Sequence, residues 1–426
     1  MSEAQRFPAT PSPFKARIRA DIEKNRQRLE ELGPGIITGG AGDDPAGIVT
    51  YTVVGATTGF SQLWLLLLST PMMIAIQDMV ARIAIVTGKS LPEITTAFYS
   101  KKLTVLMVTL LAIANILTIG ADLNAIAVIF HIISGYPTVT FLIPITALIA
   151  YLVTFGRYAT VKKVLIGLTA VLGVYILSAI LARPPLLEVL ENTFIPHIEP
   201  SSTWTIAALG MLGTTISPYL LFWQASEEHE EKKSVVQADE VSFDTLVGMI
   251  WSNLLAYCMI VAGAAMLYGT HAQIQDVSTL AAALEPAAGR YAFALFALGV
   301  IVSGFLAIPV LAGSTAYAVA DTFGWREGMD NKVSDAKGFY IVFVGALIVG
   351  DIIDMSHALS VVDALYYSQV LDGMLIPVLI GIALLIANNR TIMGEYLPSR
   401  WSNVFAIFAL LVTLALTGVM LWQWIG

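Results

Sequence analysis

The sequence predicts an all-α polytopic membrane protein, one domain of about eleven packed transmembrane helices, two of them broken at mid-depth. Three observations carry this. Of the 426 residues, 57% are hydrophobic and only 13% charged, and the mean hydropathy is +0.76; a soluble globular domain carries about 25% charged residues. Apolar runs near the ~20-residue length of a membrane span recur along the chain. The cationic residues also sort to alternate loops between those runs, as the positive-inside rule requires of a membrane protein.

The runs fall at 34–58, 60–87, 103–133, 138–155, 159–182, 204–226, 244–268, 290–321, 338–353, 357–388 and 402–425. Residues 1–32 precede them as a cytosolic tail: Pro8, Pro11 and Pro13 keep its start irregular, and Lys15 to Leu32 alternates charges at helical spacing, as a solvated or headgroup-facing surface helix does. No cleavable signal peptide is expected of this long, polar, basic N-terminus. With the N-terminus inside, 21 Lys and Arg fall on inside segments and two, Arg183 and Arg290, outside. One missed span would scramble the later loops, so the split supports the span count, a cytoplasmic N-terminus, an extracellular C-terminus and a plasma-membrane location. The 269–289 connection is long and carries no clear internal pattern. The lone Cys258 excludes an intrachain disulfide and a cysteine metal cluster. Net charge is −8, and nucleic-acid binding is not expected.

The first span is anomalous. Six of the fifteen residues from Gly33 to Gly47 are glycine, and Asp43-Asp44-Pro45 lies at mid-depth. Pro45 donates no backbone hydrogen bond and disfavours helical geometry at Asp44. The helix should break there and leave bare carbonyls beside a carboxylate. Non-helical backbone at such depth is tolerated only where it is buried in protein or lines a wet cavity, and an ionisable residue there marks a functional site, here an ion site. The sixth span repeats the pattern with Gly210, Gly213, Thr214, Thr215, Ser217 and Pro218, where Pro218 follows Pro45 by 173 residues. Five spans per unit reverse the second unit in the membrane. Interrupted helices at matching positions point to inverted repeats, about 34–182 and 204–388, with a transport site at the midplane. Proline kinks that merely bend helices for packing are the plainer alternative; the Asp and the hydroxyls at the two breaks weigh against it.

Several segments resemble the Nramp family of divalent metal transporters: GPG at Gly33 to Gly35, Asp44-Pro45, QDMVARIAIVTGKSL at Gln77 to Leu91, ADLNAI at Ala121 to Ile126, and LIPVLIGIALLIANNRTIMGEY, which ends near Glu395. They occur in family order across nearly all of 33–400, with 401–426 as an added eleventh helix. The resemblance implies a LeuT-type fold of two inverted five-helix repeats and metal transport by alternating access, with no enzyme activity and no cofactor. The partners it implies are a divalent metal ion as cargo and the lipid bilayer, with no obligate protein partner evident.

The departures from the family are informative. Its DPGN reads Asp44-Pro45-Ala46-Gly47, and its sixth-span MPH reads Ser217-Pro218-Tyr219. Asn and Met are thus replaced by Gly47 and Ser217, leaving a carboxylate, hydroxyls and carbonyls, which suit hard cations. Both changes delete volume, so a roomier cavity is expected. Mg²⁺ keeps several waters and touches protein through one or two carboxylates. The sequence therefore reads as a transporter of partly hydrated Mg²⁺, similar to the divergent Nramp-related magnesium branch; a related aluminium branch would need more charge than one Asp. The family's proton relay is also depleted. Asn115 and Ala125 stand at third-span acid positions, Tyr219 and Gln224 at sixth-span histidine positions, and the ninth span lacks arginine. Uptake without proton coupling follows, driven by a potential that contributes about 2.3 kcal/mol per charge per 100 mV.

The resemblance puts the metal on Asp44, directly before proline, and leaves Asp43 facing an aqueous vestibule. Carbonyls near Ala41 and Thr214 are freed by the breaks. Thr215 and Ser217 bind the ion or its waters, or bond back to their own helix; Tyr219 lines the cavity or packs. The tenth-span Gln of the family is Gln369 in one register, while another places that position beside Asp363 and Ala364. Asp372 is a further intramembrane acid. Asp78 and Asp122 read as gating or structural partners, and Glu227 to Glu231 as a solvated loop or a cation-attracting inner mouth. A proton-coupled Mn²⁺ or Fe²⁺ transporter and a LeuT-type symporter for an organic solute are the rival readings.

Overall fold

The computed structural model describes residues 39, 42–155, 170–230, 238–270, 274, 276–329, 331–355 and 359–425. The N-terminal tail, Ala41 and residues 159–169 of the 159–182 run lie outside them. Described residues form helices and no strands: α1 Pro45–Thr58, α2 Leu63–Thr87, α3 Leu91–Phe98, α4 Lys101–Ser134, α5 Val139–Phe155, α6 Val174–Leu181, α7 Leu186–Phe194, α8 Ser202–Thr215, α9 Pro218–Glu230, α10 Ala238–Leu267, α11 Ala292–Phe323, α12 Lys337–Asp354, α13 Val361–Ala387 and α14 Arg400–Ile425.

The runs expected at 60–87, 103–133, 138–155, 244–268, 290–321, 338–353, 357–388 and 402–425 appear as helices with ends within about six residues of those bounds, because a long apolar run has no alternative in lipid to satisfying its backbone internally. Seven helical segments among the described residues are long and apolar enough to cross a membrane. Large apolar side chains such as Ile143, Tyr151, Ile341, Leu411 and Trp422 are exposed, as lipid-facing residues are. The connections hold more helix than the hydropathy pattern shows. α3 is fixed by a capping box: Glu93 N–H donates to Ser90 Oγ (3.4 Å) and Ser90 N–H to Glu93 Oε2 (3.2 Å), with Pro92 in the first turn. The 269–289 connection contains short helical turns at Val277–Ala281 and Glu285–Ala288. The Glu227 to Glu231 stretch, read as a loop, continues α9 through Glu230, and Glu228 is buried.

Both breaks occur where proline forbids the helix. α1 begins at Pro45 behind an extended Asp44, and α8 stops at Thr215 before α9 restarts at Pro218. Two apolar clusters pack on either side of this level. One gathers Ala46 to Ala56 of α1, Ala207 to Leu212 of α8 and the facing parts of α4, α6, α10 and α11; the other gathers Leu220 to Ala225 of α9 with α2, α5, α12 and the far half of α13. Between them lies a buried polar layer of Asp43, Asp44, Asp122, Thr214, Ser217, Gln369 and Asp372. α8 crosses α13 at backbone contact in this layer: a Cβ on Gly213 would strike the Gln369 carbonyl, and one on Gly373 the Leu209 carbonyl. Only glycine permits that approach.

Candidate functional site

Asp44 sits at the centre of the polar layer, 1% exposed. It caps α1 in extended geometry (φ −65°, ψ 170°), and its Oδ1 accepts the Gly47 N–H at 2.5 Å. Its Oδ2 accepts the Tyr219 hydroxyl at 3.3 Å, so the two broken helices meet at this carboxylate. From α4, Asp122 Oδ1 accepts the Ala46 N–H at 3.1 Å. Two carboxylates therefore satisfy first-turn amides at the positive end of α1.

Gly47 organises the neighbouring oxygens. The point where a side chain would begin lies 2.7 Å from Thr214 Oγ1, 3.0 Å from Asp44 Oδ1 and 3.0 Å from the Gly42 carbonyl oxygen. Thr214 Oγ1 is buried and makes no hydrogen bond. A carboxylate, a hydroxyl and a carbonyl thus converge, and Thr214 stands at the C-terminal, negative end of α8. Such an all-oxygen set suits a hard divalent cation. Among the described residues no group of three His, Cys, Asp or Glu is placed to hold a metal, so neutral oxygens and water must supply most of any coordination around Asp44.

Several expectations change here. Beside Gly47 the expected room is taken up, since Thr214 Oγ1 and Asp44 Oδ1 lie where a side chain would begin, and Asp44, Ser217 and Tyr219 are sealed from solvent. Asp43 does not face a vestibule. It is fully buried, and Ser252 Oγ of α10 donates to its Oδ1 at 3.1 Å. Ser217 Oγ donates to the Thr214 carbonyl (2.7 Å) and Thr215 Oγ1 to the Met211 carbonyl (2.7 Å). Both hydroxyls bond back to their own chain because the broken turn leaves carbonyls within reach; Thr215 Oγ1 also lies 3.1 Å from the Tyr51 hydroxyl. Ala41 lies outside the described residues, and Gly42 supplies the nearby carbonyl.

The two tenth-span candidates lie at different levels of α13. Gln369 is fully buried in the polar layer, where its backbone touches Gly213. Asp363 is a turn and a half away at the start of α13, paired with Ser360 in a local cap: the Ser360 hydroxyl donates to Asp363 Oδ2 at 2.7 Å. Asp78 accepts from Arg82 Nε at 2.8 Å within α2. At the positions matching the proton relay, neutral amides hold helices together. Asn115 Nδ2 donates to Ser314 Oγ and Thr315 Oγ1 of α11, each at 2.9 Å, and Gln224 Nε2 donates to Thr245 Oγ1 of α10 at 2.7 Å. Asp372, an uncompensated acid inside an apolar run of the sequence, is also fully buried in this layer.

The family model for natural resistance-associated macrophage protein-like proteins, Nramp, matches residues 35–423. The chain belongs to the Nramp family. Among similar curated members, one named divalent metal cation transporter MntH, from Caldanaerobacter subterraneus subsp. tengcongensis, is 25% identical over 415 residues, covering 92% of this chain and 93% of the relative. Another of that name, from Deinococcus radiodurans, is 24% identical, covering 94% and 91%. The manganese transporter of Eremococcus coleocola, solved with an aromatic bis-isothiourea compound, has the same fold with a TM-score of 0.74 at 18% identity, covering 97% of this chain and 88% of that one. MhsT in complex with L-phenylalanine follows at a TM-score of 0.62 and 14% identity, covering 92% and 98%. At such identities the likeness to solved structures is one of fold, the LeuT-type architecture with paired broken helices. Family membership sets aside the organic-solute reading that the shared fold alone would allow. This Nramp member is an integral membrane protein.

Proposed function

We propose that the protein transports divalent metal cations by alternating access, with Asp44 as the charged ligand. The observation that carries this is the convergence of Asp44 Oδ1, the hydrogen-bond-free Thr214 Oγ1 and the Gly42 carbonyl beside Gly47, where the two helix breaks meet. A buried carboxylate is costly unless a cation or a proton compensates it, and passage of a cation through this layer supplies the compensation. The relatives named for divalent metal cation and manganese transport support the substrate class. Ser217 and Tyr219 hold the break and the carboxylate in place, and Gln369 offers Oε1, which makes no hydrogen bond, from α13. The N-terminus lies in the cytoplasm, with two repeats of about 34–182 and 204–388 and an added helix at 401–426.

On the ion itself two readings stand. The relatives, named for divalent metal cation and manganese transport, favour the first, a proton-coupled Mn²⁺ or Fe²⁺ transporter, on the side of its metal, and that reading has the broader support. The donor set favours Mg²⁺ without protons: it has no sulfur, and neutral amides replace the relay at Asn115 and Gln224. Purified protein in liposomes, with Mn²⁺ and Mg²⁺ influx and internal pH followed together, decides between them. Mn²⁺ entry with acidification and no Mg²⁺ flux establishes the first; Mg²⁺ entry at constant internal pH establishes the second. If neither ion moves, the transport proposal falls.

A further inference from the structure

α13 carries a carboxylate that neither the helix cap nor any hydrogen bond uses. Asp372 is fully buried, and both of its oxygens lack a hydrogen-bond partner. Burying a charged group without a partner costs several kcal/mol, so a residue kept in this state stands where something else compensates it. Its surroundings are specific. It lies one turn beyond Gln369 on the helix that meets α8 at Gly213 and Gly373. It is within electrostatic reach of Asp44, Asp122 and the Tyr219 hydroxyl. It is also sealed. A cavity of about 200 Å³ between α4, α12 and α13 is lined by its chain neighbour Leu371 and by Ser368 and Ala121, yet Asp372 itself exposes nothing.

The charge balance of the layer explains what Asp372 is for. Asp44 and Asp122 each give one oxygen to an amide of the α1 N-terminus, where the helix dipole amounts to roughly half a positive charge. Their pull on a divalent cation is weakened accordingly. Asp372 has no such demand on it. A partly hydrated divalent ion can engage two carboxylates at once, one directly and one through water. We propose that Asp372 is the second charged group of the cation path, holding the divalent ion jointly with Asp44 as it crosses the layer between the broken helices. This rests on the cation-transport reading above and adds a residue to it, one that the family motifs do not mark.

The test uses purified full-length protein in detergent, titrated calorimetrically with Mn²⁺ or Mg²⁺ alone, with the ion-induced shift in melting temperature as a second readout. Four proteins are compared: the natural sequence, Asp44→Asn, Asp372→Asn and, as a carboxylate outside the layer, Asp351→Asn on α12, whose Oδ2 accepts the Thr146 hydroxyl of α5 at 2.6 Å. Asp372→Asn is expected to weaken binding of the transported ion at least tenfold and to shrink the ion-induced melting shift, while the ion-free melting temperature stays level or rises. Asp351→Asn is expected to bind within twofold of the natural protein. Should Asp372→Asn fail to fold, Asp372→Leu, apolar and of similar size, gives the same reading. If the natural protein binds, Asp44→Asn does not, and Asp372→Asn binds within twofold, the role of Asp372 is overturned while the transport proposal stands. If the natural protein binds neither ion, the cation reading itself fails, and this proposal with it.

Discussion

At the scale of single residues, Asp44 has two separable duties, capping α1 and carrying charge. Asparagine caps about as well as aspartate, so Asp44→Asn isolates the second duty: metal flux into liposomes should vanish while the melting temperature changes little. Asp44→Ala removes both duties and should in addition lose about 1 kcal/mol of stability. Flux near normal in the Asn variant would remove Asp44 from the mechanism. Gly47 is constrained from the opposite side. A Cβ there meets Thr214 Oγ1 at 2.7 Å, so Gly47→Ala should cost about 1–3 kcal/mol as overpacking does. Pairing it with Thr214→Ala deletes the struck atom and should recover much of that loss, a coupling that a double-mutant cycle in thermal unfolding measures. Additive costs would show that the contact is not the cause. The exchange of Asn for Gly is thus matched to its surroundings rather than a simple enlargement.

At the scale of elements, the crossing of α8 and α13 holds the polar layer together. Gly213 and Gly373 let the two backbones touch, which brings Gln369 and Asp372 level with the α8 break. Gly213→Ala would push its Cβ into the Gln369 carbonyl, backbone that cannot yield by changing a rotamer, and should lower the melting temperature clearly, on the scale of about 1–3 kcal/mol. Gly345→Ala on α12, where nothing lies within 4 Å of the new atom, is the matched control and should be close to neutral. Equal effects at the two sites would argue that membrane-helix glycines matter here for propensity rather than for the crossing. The amide bridges of Asn115 to α11 and Gln224 to α10 serve a similar end, tying helices with neutral groups where the family resemblance placed titratable ones.

At the scale of the whole molecule, the charge split and the proposed inverted repeats predict a sidedness that labelling checks. With Cys258 replaced by Ser, a cysteine at Lys89 should react with a membrane-impermeant maleimide only from the cytoplasmic side, and one at Glu199 only from outside; both positions are exposed. The reverse pattern would invert the topology. The burial of Asp44, Ser217, Tyr219, Gln369 and Asp372 also means that an ion reaches this layer only when helices move, as alternating access requires.

Much of this was written in the sequence. Hydropathy placed the spans, because lipid leaves a long apolar run few alternatives to helix. Proline placed both breaks, because a missing N–H and a clash are local facts. The acid beside Pro45 marked the layer before any fold was known. The tertiary structure decided what depends on residues distant in the chain. It turned Asp43 away towards Ser252, placed Gln369 rather than Asp363 beside the α8 break, and filled the space beside Gly47 with a threonine oxygen from another helix. It also brought Asp372, a further intramembrane acid on α13, within electrostatic reach of Asp44. Spacing along a chain fixes which face of a helix a residue occupies; only packing decides which other face it meets.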